Sequence, residues 1–113
     1  MGERAQKVVI RLGRVGRFWS QWGGQQCAES LVAGTEGLEA DLSESKRADE
    51  WMEADLAEGG YLVDFDAKRI LLYSWDLSFL ESIEAGVRSA WPGWAVSISR
   101  VGVPEFREYV GGR

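Results

Sequence analysis

The chain has no histidine. That removes the usual general base near neutral pH, and with it Ser-His-Asp and Cys-His arrangements. It also removes the commonest metal ligand. Cys27 is the only cysteine, so no internal disulfide can form and no Cys/His cluster can hold structural zinc. No Gly-Lys-Ser or Gly-Lys-Thr occurs, and Gly13-Arg14-Val15-Gly16 reads as a turn without a following helix, so there is no phosphate loop. No apolar run approaches the roughly 20 residues needed to span a bilayer. Val8-Val9-Ile10 is too short for a secretory signal and is broken at once by Arg11. The expectation is a cytoplasmic protein with no membrane contact, no metal and no cofactor.

What is present is an ordinary globular composition on 113 residues, enough for one domain, 1–113, with one core. Six tryptophans are many for this length, and most belong in that core, because a small fold cannot keep so many indoles wet. The net charge is −5, and it is unevenly spread. Glu29 to Glu58 holds ten Asp or Glu residues against Lys46 and Arg47, whereas Met1 to Ala28 holds five basic residues and only Glu3. An acidic chain of this kind fits a basic protein partner, or simple solubility, better than nucleic acid.

Alternation places Val8, Ile10 and Leu12 on one face and Lys7, Val9 and Arg11 on the other. A second alternating run, Arg17 to Trp22, completes a hairpin around a turn at 13–16. Cys27, Ala28, Leu31 and Val32 have helical spacing, with Gly34 as a stop. Leu38 and Leu42 suggest another helical turn. Ser43 and Ser45 offer N-caps for a helix over 46–57, with Ala48, Trp51, Met52 and Leu56 as its apolar stripe. On that phasing Asp49, Glu50 and Glu53 point outward, and Asp55 falls on the core side, where an arginine of the sheet could meet it.

Tyr61–Phe65 and Ile70–Trp75 form a second hairpin. Ser78 to Glu81 has capping-box spacing, and the helix that follows buries Leu80, Ile83, Val87 and Trp91. Pro92-Gly93 breaks it. Trp94, Val96 and Ile98 make a last strand, and Pro104 opens a terminal helix with Phe106, Tyr109 and Val110. The predicted architecture is α+β and two-layered, an antiparallel sheet of about five strands with the helices packed on one face.

Few residues suggest chemistry. Cys27 lies on the apolar side of its helix, far in sequence from any basic neighbour, and reads as a buried inert thiol rather than a nucleophile. Asp64 and Asp66 could hold a divalent cation with outside oxygens, but such residues commonly begin a turn. Asp64 and Glu84 could be imagined as an acid/base pair, with nothing to fix their separation. Arg4, Lys7, Arg11, Arg14 and Arg17 with Trp19 could form a nucleic-acid patch. The overall charge opposes it, and hairpin arginines also protect an edge strand.

The second half of the chain carries a resemblance. Tyr61-Leu62-Val63-Asp64-Phe65-Asp66, then Arg69-Ile70-Leu71-Leu72-Tyr73, then Trp91-Pro92-Gly93-Trp94-Ala95-Val96 and a C-terminal Tyr-Val-Gly, resembles small bacterial immunity proteins encoded beside secreted polymorphic toxins. The resemblance implies an inhibitor, not an enzyme. It would neutralise a cognate toxin by binding tightly and occluding a basic active site. The motif itself marks a helix-to-strand corner and no binding residue. From charge and aromatic placement, the expected partner-binding residues are Asp49, Glu50, Glu53, Glu44, Trp19, Tyr73 and Trp75. The alternative is a small-ligand-binding or regulatory α+β domain.

Overall fold

The segment RAQKVVIR is a strand buried on both faces. In a computed structural model, which describes residues 3–112, it forms β1 (Arg4–Arg11), and every residue from Ala5 to Ile10 is buried. Alternation predicts Lys7 and Val9 at the surface. They are inside because β1 is central, with strands paired on both sides of it in a six-stranded sheet.

β1 turns into β2 (Arg14–Ser20) through Leu12 and Gly13, both left-handed with φ 51° and 74°. A two-residue turn with positive φ at both positions matches the twist of a hairpin. The hairpin agrees with the sequence, but its turn lies earlier than 13–16. Leucine resists this conformation. Asp66 offsets the cost, because its carboxylate accepts the N–H groups of Leu12 and Gly13, both at 2.8 Å.

A 3-10 segment (Gly24–Ala33) follows, then α1 (Gly34–Ser43). Together they bury Cys27, Ala28, Leu31 and Leu38. Gly34 (φ 70°) ends the 3-10 segment as expected, but the chain continues directly into α1.

The helix expected over 46–57 does not form. Lys46–Ala48 is a short edge strand, β3, paired with β2, and 49–56 is an irregular loop. The reason is tertiary. A helix would send the Met52 N–H to the carbonyl of Ala48; here it goes to the buried Gln6 side chain at 2.8 Å. Arg17 donates to the Asp49 carbonyl at 2.5 Å, and its guanidinium lies 5.3 Å from the centre of the Trp51 ring. These contacts outweigh a modest helix propensity. Asp55 is consequently exposed, not on a core side.

β4 (Ala57–Asp64) and β5 (Arg69–Ser74) form the second hairpin; then come α2 (Leu77–Ala90), β6 (Ala95–Ile98) and α3 (Val103–Gly111). β4 runs parallel to β1, and β6 parallel to β5. The sheet is therefore mixed and six-stranded, not antiparallel with about five strands. Parallel neighbours need a long crossover, and α2 supplies one between β5 and β6. α2 is capped by Asp76, not Ser78. The Asp76 carboxylate takes the hydroxyl of Ser78 at 2.7 Å and the N–H of Phe79 at 3.1 Å, and these bonds hold its pKa down.

The fold is α+β. One core joins Ala5, Val9, Tyr61, Val63, Ile70 and Leu72 to the 3-10 segment, α1 and α2. The opposite sheet face carries Val8, Ile10, Leu62, Leu71 and Tyr73 under Phe106 of α3, with Trp51 and Tyr109 at its margin. The helices thus do not all share one face, because the Phe106–Val110 stripe of α3 has its own apolar surface to cover. Burying Phe106 alone contributes about 2–3 kcal/mol. Trp91 ties the helical layer together by donating its indole N–H to the Leu31 carbonyl at 2.8 Å. Among the described residues, no helix is long and apolar enough to cross a membrane.

Candidate partner-binding surface

The acidic loop takes its charge from its own sequence and its shape from Gln6 and Arg17. Asp49, Glu50, Glu53 and Asp55 are all exposed. Between Ala48 and Glu58 there is no basic residue to neutralise them, and among the described residues none of the four carboxylates is in an ion pair. The loop is nevertheless held. Arg17 grips Asp49, Gln6 grips Met52, and Leu56 donates its N–H to the Glu53 carbonyl at 3.0 Å. Trp51 is half-buried beneath it. The result is a ridge of negative charge presented from a fixed backbone, not from a helix face.

The other expected contact residues lie elsewhere. Trp19 and Glu44 line a cleft of about 430 Å³ with the exposed Trp22. Tyr73 and Trp75 line a smaller one, about 360 Å³, with Leu77 and Arg100. Trp75 is 56% exposed, whereas Tyr73 is buried, its ring packed against Gly102. Burial raises the Tyr73 pKa. The seven residues therefore occupy three places on the molecule. Asp49, Glu50 and Glu53 come together; the aromatics do not join them.

Sequence reasoning missed a buried polar centre. Lys7 is 2% exposed, and its ammonium meets Asp41 Oδ2 and Ser45 Oγ, each at 2.8 Å. Tyr61 donates to the same Asp41 oxygen at 2.5 Å. Burial, then the Asp41 charge and hydrogen bond, push the Tyr61 pKa up. A lysine within Gln6-Lys7-Val8-Val9-Ile10 was the available signal, since a charge inside a central strand needs a partner.

Cys27 is buried, and desolvation pushes its thiol up to about 12. It remains protonated at neutral pH, against a nucleophilic role. Asp64 and Asp66 form the turn. Asp64 Oδ1 takes the N–H groups of Asp66 and Ala67 at 2.9 and 3.1 Å, and its other oxygen takes the Tyr109 hydroxyl at 2.8 Å. Glu84 is engaged with Arg88 on α2 at 2.6 Å. Among the described residues no group of three metal-ligating side chains converges. Comparison with protein-family models, with curated proteins and with solved structures returns no match.

Proposed function

We propose that this chain is an inhibitory binding protein of the immunity type, which neutralises a cognate bacterial toxin by seating its acidic loop against a basic active-site surface. The observation that carries the proposal is the anchored ridge Asp49, Glu50, Glu53 and Asp55, exposed and outside any ion pair among the described residues. Complementary charge accelerates encounter and suppresses wrong partners. A loop already fixed by Gln6 and Arg17 gives up little entropy on docking. Inhibition of this kind needs occlusion only, so the reading requires no catalytic group and no cofactor. It places the protein in the cytoplasm of the cell that makes the toxin.

The test is co-expression with the product of the adjacent upstream gene. The expected result is relief of that product's toxicity and co-purification of a stable complex. A neighbour that is harmless, or one that does not bind, ends the proposal.

A further inference from the structure

The helix-side face of the sheet is only partly covered. The 3-10 segment and α2 pack over β1, β4, β5 and β6, and α1 lies beside β1. Beyond α1, the same face of β2 and β3 is open. Strand register shows what lines it. Gly16 is opposite Val9, Phe18 is opposite Lys7, and Arg47 is opposite Phe18. All of these positions project to the α1 side, because paired residues share a face. The opening is a groove of about 850 Å³ between α1 and the sheet edge, within the size range of small-ligand sites.

Its floor is apolar, made by Val9, Phe18 and Leu42. Gly16 keeps it open: a Cβ there would stand 3.1 Å from the Phe18 ring, so any larger side chain would project into the trench. The walls are basic. Arg47 lies 5.7 Å from the Phe18 ring centre, and Arg11 lies 4.6 Å from that of Phe65. Arg14 faces Arg11 across the hairpin and has no carboxylate partner among the described residues. The one acidic residue here, Glu39, is paired with Arg11. In a chain of net charge −5, three arginines against one glutamate make a local field of the opposite sign.

We propose that this groove binds a small organic anion with a flat apolar body, such as an aromatic carboxylate, sulfonate or phosphate. The body lies on Val9, Phe18 and Leu42 in the space Gly16 leaves. The acidic group is taken by the guanidinium of Arg14 or Arg47, whose forked donors suit such oxygens. An extended polyanion is disfavoured by the charge of the rest of the molecule. The acidic loop belongs to the other face, where Gln6, Arg17 and Trp51 hold it, so this site stands independently of the toxin-binding proposal.

The probe is 1-anilinonaphthalene-8-sulfonate, titrated by fluorescence, with the uncharged N-phenyl-1-naphthylamine beside it. The expected result is saturable binding of the sulfonate, at least about tenfold tighter than the neutral analogue, from charge-assisted bonds. Arg14→Glu with Arg47→Glu should lower sulfonate affinity by at least about tenfold and spare the neutral probe. Gly16→Leu, which keeps every arginine, should abolish binding of both. Near-ultraviolet circular dichroism confirms folding. If Gly16→Leu fails to fold, the exposed arginine pair still decides. Equal affinity for the two probes, unchanged affinity in the arginine variant, or unchanged affinity in folded Gly16→Leu overturns the proposal.

Discussion

Lys7 and Tyr61 stand opposite each other on the parallel strands β1 and β4, and both close on the same oxygen, Asp41 Oδ2, at 2.8 and 2.5 Å. Strand pairing brings a cation and a phenol side by side, and α1 supplies the anion that satisfies both. Removing either charged partner is therefore not equivalent. Asp41→Ala leaves a buried ammonium with only Ser45 Oγ, and should cost about 3–5 kcal/mol. Lys7→Met leaves a carboxylate that is 18% exposed and still bonded to Tyr61, and should cost less, about 1–3 kcal/mol. Urea denaturation of the two variants measures the difference. Equal losses would mean that Asp41 does no more for Lys7 than Lys7 does for Asp41.

Alkaline pH should unfold the protein earlier than its surface charge alone requires. The Cys27 thiol rises from 9.0 to about 12 on folding, so the folded state keeps a proton that the unfolded state has lost. Its contribution is complete below pH 9. It is lost as pH rises from there toward 12, at about 1.4 kcal/mol per pH unit. Tyr61 acts with the same sign, beginning near its ordinary value of 10.0. In Cys27→Ala the decline should begin about one pH unit later. Thermal melts between pH 8 and about 11 read the onset in both forms.

Gly59 belongs to β4, where its Cα faces the carbonyl of Gly24 at the start of the 3-10 segment, and a Cβ would overlap that oxygen. Both partners are backbone, so neither can turn aside. Gly59→Ala should fall at the upper end of about 1–3 kcal/mol for overpacking. A loss below about 0.5 kcal/mol would be the surface-substitution outcome and would show that the 3-10 segment yields freely.

Asp49→Lys, Glu50→Lys and Glu53→Lys together should leave the melting temperature nearly unchanged, since no contact within the fold is lost, yet, on the proposed function, slow association with the proposed toxin partner by about tenfold or more at low salt. The wild-type rate should fall steeply as salt is raised, and the variant's should not. Stopped-flow mixing across an ionic-strength series tests this. Identical salt slopes would detach the loop from recognition.

The elements that could be read from the sequence are those whose determinants are local. Both hairpins, α2, β6 and α3 follow from alternation, helical spacing or proline. What could not be read depends on distant partners. The 46–57 segment has an apolar stripe at helical spacing, but Gln6 and Arg17, more than 30 residues away, claim its backbone. The parallel pairing of β1 with β4 leaves no local mark, so the mixed sheet could not be foreseen, and the burial of Lys7 was signalled only by its place within Gln6-Lys7-Val8-Val9-Ile10. The acidic residues were visible as a charge run. That they form a pinned loop depends on those same remote contacts, as does the arginine groove, assembled from α1, the β1–β2 hairpin and β3.

The strand order β3-β2-β1-β4-β5-β6 reads outward from a central seam. On one side lie a hairpin, a helical connection and a third strand; on the other, again a hairpin, a helix and a third strand. The only peptide connection between these halves is the segment 49–56. What holds them in register is the β1–β4 ladder, the shared grip on Asp41, and Asp66 reaching from one hairpin turn to the other. Chain continuity is thus supplied at the surface and cohesion in the interior. Two fragments divided within that segment are expected to reassociate on mixing, and co-purification of the pair checks it.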